Sequence, residues 1–390
     1  MSPLHNSFSL VDSGQNRLHW IDYLRSINIL GTIFSHAILA YSPFMQSLDY
    51  SNLINFPFVD TNTTLEYVDL ILLIRPMFSM QLMFFISGLF AWRSLQKRGS
   101  LSYLLNRFKR LILPLLALAV VLMPITYLPG DLIFHRAEFH IRLAHLWFLW
   151  VLFIFDAVLV LTFHYARQRV ERMMSKLTNL AIYTLFLSSM IISYLPLAQF
   201  SPRSAGWLTI FGPFMVPLSR MGLYIVFFVF GVMLGSRCLS SEVSDSNLLS
   251  PYAKPDPRAR YIYLSTLCIC ILFVALRVYI NPLTSLYGLE LSWLAVNALY
   301  ALGSFALVMS IVLISKHFLQ RQNSILDNLA KNSYGIYMLH YTIVVWLQFS
   351  FSQLIFPGSL KPWVVFILAV PLSWVATDGL RRAPLVKGLI

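Results

Sequence analysis

The sequence predicts an all-α, polytopic membrane protein with about ten transmembrane helices and both termini in the cytoplasm. Composition is the first reason: 58% of the residues are hydrophobic and only 12% are charged, against about 25% charged in soluble globular proteins. The second reason is that the apolar residues come in runs of about 18 or more, enough to cross a bilayer as a helix. These two observations exclude a soluble globular domain.

The apolar runs divide the chain into a cytoplasmic tail over residues 1–20, a transmembrane domain over 21–380 and a second cytoplasmic tail over 381–390. The Gly- and Pro-rich stretch 206–217 is the part of the pattern least typical of a helix. The predicted spans cover residues 21–44, 68–92, 111–128, 145–163, 178–198, 214–235, 261–280, 291–314, 333–355 and 361–378.

The net charge of +13 is explained by membrane topology. Lys and Arg concentrate in alternate loops, above all 93–110, 167–176 and 237–260. This is the positive-inside distribution, which places those loops and both termini in the cytoplasm. We therefore expect the lipid bilayer, and no nucleic acid, as a partner. No nucleotide-binding, metal-binding or serine-hydrolase motif is found, so we expect no metal and no tightly bound cofactor.

The first span carries three titratable side chains, Asp22, Arg25 and His36. At about 100° per residue they share one helical stripe, and such groups inside a membrane face protein or a water-filled cavity. One interpretation is structural: Asp22 and Arg25 form an ion pair one turn apart, and His36 hydrogen-bonds a neighbouring helix. The other is catalytic, because imidazole titrates near neutral pH and suits a general base.

Other polar groups interrupt later spans. Arg75 and Gln81 lie in the second span, His340 in the ninth, and Arg220 and Arg277 in the sixth and seventh. A buried arginine keeps its charge, so each needs a partner in the protein or an anionic ligand. Pairing within the protein and substrate binding both satisfy this requirement. We take Arg75, Gln81 and His340 as candidate substrate-binding residues.

A basic cluster precedes the third span. Arg107 and Arg110 are three residues apart, so they lie on one helix face and could bind phosphate oxygens. The alternative is the ordinary positive charge at the cytoplasmic end of a membrane helix.

Five motifs then resemble the acyltransferase 3 family, whose members are integral membrane enzymes that acylate extracytoplasmic carbohydrates. Asp22, Arg25 and His36 match the start of the family's first helix, an Asp-x-x-Arg followed by a His ten positions after the Arg. The further motifs, in order, are MFFISGLFAW, RFKRLILPL, HLWFL and SYGIYMLHY. Within the family, IRPMFSMQLMFFISG and HLWFLW are most similar to the glucan biosynthesis protein C branch, which is assigned succinyl transfer to periplasmic glucans.

The resemblance implies an O-acyltransferase of the cell inner membrane. It implies a cytoplasmic acyl-CoA donor, succinyl-CoA or acetyl-CoA, and a hydroxyl of a periplasmic or cell-envelope glycan as acceptor. His36, Asp22 and Arg25 would be catalytic, with His36 as general base or transient acyl carrier, and Arg107 and Arg110 would hold the donor phosphates. Arg75 would face the free carboxylate of a succinyl group. We expect His36 to face a cavity that reaches the Arg107–Arg110 cluster.

Two other functions fit a membrane protein of this kind. A transporter or flippase would use intramembrane polar residues to bind a glycan or a small anionic solute, but we find no inverted repeat typical of transporters. A structural subunit of a glycan assembly complex would not depend on His36.

Overall fold

The computed structural model describes residues 19–47, 56–133, 142–198, 207–238, 259–275 and 290–383, and about 85% of it is helical. We number the α-helices and strands of this described part in chain order; short 3₁₀ turns at Arg75–Met77, Ala144–Leu146 and Gly358–Leu360 lie between them. The helices are α1 His19–Leu39, α2 Pro43–Gln46, α3 Tyr67–Ile74, α4 Ser79–Arg98, α5 Ser100–Arg107, α6 Leu113–Ile133, α7 Trp147–Lys176, α8 Asn179–Ala198, α9 Leu218–Cys238, α10 Ala259–Ala275, α11 Glu290–Phe318, α12 Ser324–Ser352 and α13 Lys361–Arg382.

Within the described residues, seven helical segments are long and apolar enough to cross a membrane. The predicted spans 21–44, 261–280 and 333–355 fall on α1, α10 and α12, which are not among the seven. The all-α membrane class is therefore confirmed, while the number of ten spans and the cytoplasmic termini stay predictions. The seven segments are Tyr67–Arg98, Ser100–Ile133, Ala144–Arg172, Ala181–Ala198, Leu218–Ser236, Leu294–Phe318 and Gly358–Arg382.

The stretch before α9 departs from an all-helical chain. Strands β1 (Trp207–Phe211) and β2 (Phe214–Pro217) form an antiparallel hairpin, with Trp207 opposite Pro217. Gly212 turns the chain with φ of +49°, a conformation that glycine adopts at little cost. The predicted start of the sixth span at residue 214 is therefore wrong, because a strand precedes the helix.

The helices pack around two hydrophobic cores, and α1, α4 and α9 contribute side chains to both. One core also includes α6, α7, α12 and α13, and the other also includes α8, α10 and α11. Many of the exposed side chains are aliphatic, such as Val120 at 65% and Ile192 at 72% exposure. This is expected of helices that face lipid.

Helices α4 and α9 approach each other closely because small residues line their contact. A Cβ atom built on Gly88 would lie 2.1 Å from the Phe228 carbonyl oxygen, and one on Gly235 would lie 1.9 Å from that of Leu89. Gly231 and Gly235 form the small-xxx-small spacing found at tight membrane-helix contacts.

The basic cluster lies where α5 runs into α6. The two helices are continuous through a π-helical turn at Phe108–Ile112, a rare element that is frequent at functional sites. This turn places Arg107 and Arg110 differently from the ideal helix that the sequence predicts.

Candidate active site

A cavity of about 280 Å³ lies between α1, α9, α12 and the β-hairpin. It is largely apolar but contains several groups able to bind or react with a substrate. The side chains that matter for its chemistry are His36, Arg75, Arg142, His145, Arg220, Tyr337 and Tyr341.

His36 projects from α1 into this cavity, as the sequence predicts. Its ring packs against Tyr341 of α12, with the ring centroids 4.4 Å apart. The backbone beneath it is fixed, since the side-chain amide of Gln348 donates to the carbonyl oxygens of His36 and Ala37 at 2.8 and 3.1 Å. The imidazole is thus held on a rigid part of α1 and faces a space that could admit a substrate.

Two further imidazoles lie beside His36. The centroid of the His340 ring is 5.4 Å away and that of the His145 ring is 6.3 Å away. His340 was predicted as a substrate-binding residue; it does not line the cavity but packs behind His36 and His145. No group of described His, Cys, Asp and Glu side chains has the geometry of a metal site.

The proton of neutral His340 can be placed from its partners. Its Nδ1 atom lies 2.7 Å from the Tyr337 carbonyl oxygen and 3.2 Å from that of Ile336. Carbonyl oxygens only accept hydrogen bonds, so Nδ1 carries the hydrogen and Nε2 is an acceptor in the neutral ring.

The sequence does not mark His145 as a site residue. Its motif HLWFL is typical of the start of a span, and no periodicity distinguishes its first residue from a histidine at a helix end. The structure places it in the 3₁₀ turn Ala144–Leu146, where it lines the cavity.

Arg75 crosses from the turn after α3 to α1. Its guanidinium donates to the Asn28 side chain and backbone at 3.1 and 2.6 Å, to Thr32 at 3.2 Å and to Ser35 at 3.2 Å. Gly31 makes room for it, since a Cβ there would lie 2.7 Å from Arg75 Nη2. All of these acceptors are uncharged, so among the described residues the positive charge of Arg75 has no counter-ion beside the cavity.

Two more arginines line the cavity. Arg220 hydrogen-bonds Tyr224 and lies near Tyr194 and Tyr300, which are again uncharged groups. Arg142 is different, since it pairs with Asp131 at 3.4 Å. The predicted intramembrane arginine at position 277 lies outside the described residues.

Asp22, Arg25 and Gln81 are further predicted site residues that lie away from the cavity. Asp22 and Arg25 form an ion pair at 3.6 Å near the start of α1, as the structural interpretation predicts, and neither lines the cavity. Gln81 is buried and donates to the Pro76 carbonyl oxygen at 3.0 Å. A catalytic role for the first two, and substrate binding by Gln81, stay predictions.

The basic cluster splits into two different environments. Arg107 Nε lies 3.0 Å from Asp156 Oδ2 and donates to the Tyr103 hydroxyl at 3.1 Å. Arg110 is half-buried, and its carbonyl oxygen accepts a hydrogen bond from the Tyr334 hydroxyl. Arg107 is therefore part of a buried ion-pair network, which the sequence did not predict.

The described lining of the cavity does not extend to this cluster, in contrast to the expected continuity. Neither Arg107 nor Arg110 is among the described residues that line the cavity around His36. Tyr334, which contacts Arg110, lies one turn of α12 before Tyr337, which lines the cavity. About 4.5 Å of helix axis thus separates the two levels.

Comparison with known families decides the class of protein. The sequence model of an acyltransferase domain, the acyltransferase 3 family, matches residues 18–378 of the 390 residues. The chain belongs to the acyltransferase 3 family. No curated protein and no solved structure gives a significant match. This member of the acyltransferase 3 family is thus a multi-pass membrane acyltransferase, and the family match includes α1 and α12, the helices that carry His36 and His340.

Proposed function

We propose that this acyltransferase moves a succinyl or acetyl group from cytoplasmic acyl-CoA to a hydroxyl of a periplasmic or cell-envelope glycan, with the inner membrane as its location. The observation that carries the proposal is the position of His36, which faces a cavity lined by three arginines and has two further imidazoles beside it. The family match supports acyl transfer as the reaction. The cavity places a base, His36, where a hydroxyl and a thioester could both bind.

His36 is the general base of the proposed reaction. Its imidazole takes the proton from the acceptor hydroxyl as the oxygen attacks the thioester carbonyl carbon, and the same proton then passes to the departing coenzyme A thiolate. A transient acyl group on His36 is the other route, and it predicts release of coenzyme A before any acceptor is added.

Charge in the cavity favours an acyl group that ends in a carboxylate. Arg75 and Arg220 both line the cavity, and their contacts named above are to uncharged groups. A guanidinium binds a carboxylate through paired hydrogen bonds. Of the two acyl groups we name, succinyl provides this partner and acetyl does not.

The donor's phosphates would bind at the basic turn between α5 and α6. Lys109 is exposed and Arg110 is half-buried, so they are better placed for a ligand than Arg107. In coenzyme A an extended pantetheine arm separates the phosphates from the thioester. Such a donor suits a basic cluster that lies apart from the reacting histidines.

The acceptor would reach His36 from the side of the β-hairpin. Trp207 and Met215 of the hairpin line the cavity, as does Arg142, and the predicted topology places these segments outside the cytoplasm. The resemblance to the glucan biosynthesis branch makes a glucan the first acceptor to test.

The test uses purified protein in detergent with labelled succinyl-CoA or acetyl-CoA and a glucan acceptor. The proposal expects label in the sugar, and mass spectrometry of envelope glycans from cells with and without the protein should show the same added mass. Facilitated movement of a glycan or anion into vesicles, without acyl transfer, would contradict the proposal and favour a transporter.

A further inference from the structure

His145 is a second histidine of the cavity, and its environment differs from that of a packed interior residue. Its side chain is 7% exposed and lines the same cavity as His36. The two rings meet edge to face, with centroids 6.3 Å apart. A substrate group that contacts His36 in this cavity therefore lies within reach of His145.

The backbone that presents His145 is strained. Ala144 immediately before it has φ of +44°, in the left-handed region that residues with a Cβ rarely adopt. The Tyr337 hydroxyl donates to the His145 carbonyl oxygen at 2.5 Å and holds the turn in place. Strain of this kind persists where the surrounding structure fixes it, and it is concentrated at functional sites.

Within the described part of the chain, neither Nδ1 nor Nε2 of His145 makes a hydrogen bond of good geometry. The nearest backbone groups are those of Tyr337 and Met338, which interact with the ring electrostatically. Buried polar atoms are nearly always paired, and an imidazole carries at least one N–H group. His145 therefore has an N–H group without a well-formed hydrogen bond in the described structure, at the wall of the cavity that a substrate would enter.

We propose that His145 is a catalytic residue that donates a hydrogen bond to the oxyanion formed during acyl transfer; this rests on the acyl transfer proposed above. The acceptor oxygen bonds to the thioester carbon, its proton moves to His36, and the carbonyl electron pair moves onto oxygen. That oxygen accepts the N–H of His145. The carbonyl then re-forms, the C–S bond breaks, and the proton on His36 passes to the thiolate.

His340 does not fit the donor role. Its Nδ1 hydrogen is already given to the Tyr337 carbonyl oxygen at 2.7 Å, and its Nε2 is an acceptor in the neutral ring. Its ring centroid lies 4.9 Å from that of His145. His340 is therefore a positioning residue that supports the other two rings from behind.

The test compares His145→Ala and His145→Gln in the purified full-length protein, with the exposed His164→Ala on α7 as a control. Loss of one oxyanion donor typically lowers kcat by about 100- to 1,000-fold, so we expect that loss in His145→Ala with little change in the KM for donor or acceptor. Glutamine keeps an N–H donor but cannot accept a proton, so His145→Gln should retain activity within about tenfold of the wild type, with an unchanged pH–rate profile.

Two results would overturn the proposal. One is a folded His145→Ala variant with wild-type kcat. The other is a folded His145→Gln variant that is as inactive as the variant His36→Gln, since that result assigns His145 to proton transfer. If His145→Ala does not fold, the proposal is judged on the activity of His145→Gln alone, by the same comparison with the wild type and with His36→Gln. Because each variant is measured relative to an active wild type, absence of transfer by the wild type would count against the proposed function instead.

Discussion

Arg107 and Asp156 form an ion pair between the α5 end and α7, with Nε 3.0 Å from Oδ2 and the carboxylate fully buried. The Tyr103 hydroxyl donates to the other carboxylate oxygen at 2.5 Å. Arg107, the first residue of the RFKRLILPL motif, thus has a structural role inside the protein in addition to any contribution to donor binding.

Removal of Arg107 should therefore destabilise the fold. Arg107→Met leaves a buried carboxylate without its counter-ion, which costs about 3 to 5 kcal/mol. We expect a lower thermal unfolding midpoint in detergent, and partial recovery in the double variant Arg107→Met/Asp156→Asn. An unchanged midpoint in Arg107→Met would show that the pair does not stabilise the protein.

Arg110→Ala should weaken donor binding and leave the fold intact. A charge-assisted hydrogen bond contributes about 1.5 to 3 kcal/mol, so the Kd for coenzyme A should rise by about ten- to a hundredfold. Isothermal titration measures it, and Arg167→Ala is the control because Arg167 is a half-exposed arginine of α7 paired with Glu171. Equal affinity of Arg110→Ala and the wild type for coenzyme A would show that the basic cluster does not bind the donor. Its charge would then only reflect the cytoplasmic end of a membrane helix.

Arg75→Lys tests the choice of acyl group. Lysine keeps the charge but loses the paired donors that match a carboxylate, so kcat/KM should fall at least about tenfold more for succinyl-CoA than for acetyl-CoA. The comparison is made within one variant, so any general effect of the lost contacts to α1 cancels. An equal fall for both donors would mean that Arg75 only holds α1 in place.

The contact between α4 and α9 should tolerate no added volume. Gly235→Ala would place a methyl group 1.9 Å from the Leu89 carbonyl oxygen, and such overpacking costs about 1 to 3 kcal/mol. A lower unfolding midpoint is expected. Gly379→Ala in α13 is the control, since nothing lies within 4 Å of its Cβ position, and an equal effect of both changes would contradict the prediction.

Much of the site could be predicted from local pattern. The polar stripe of the first helix predicts that His36 faces protein rather than lipid, and the family spacing connects it to acyl transfer. Arg75 can be predicted as a site residue because an arginine inside a membrane span is energetically costly. Both residues line the cavity because a buried polar group must face other protein groups or a space that water or substrate can enter.

The remainder depends on contacts distant in sequence. His145 becomes a site residue only because α12 brings Tyr337 and His340 against the turn before α7. Asp156 and Arg107 likewise pair across two helices that no periodicity connects. The β-hairpin is not predicted because the residues on both sides of Gly212 and Pro213 are apolar. Their pattern is also typical of the start of a membrane span.

The most direct test of the account is transfer of labelled succinyl from succinyl-CoA to glucan by wild-type protein and by His36→Gln, with both variants matched for folding. Glutamine retains hydrogen-bonding groups but cannot accept a proton. We expect that His36→Gln folds normally and loses transfer by at least about 100-fold. Transfer by His36→Gln at the wild-type rate would contradict it.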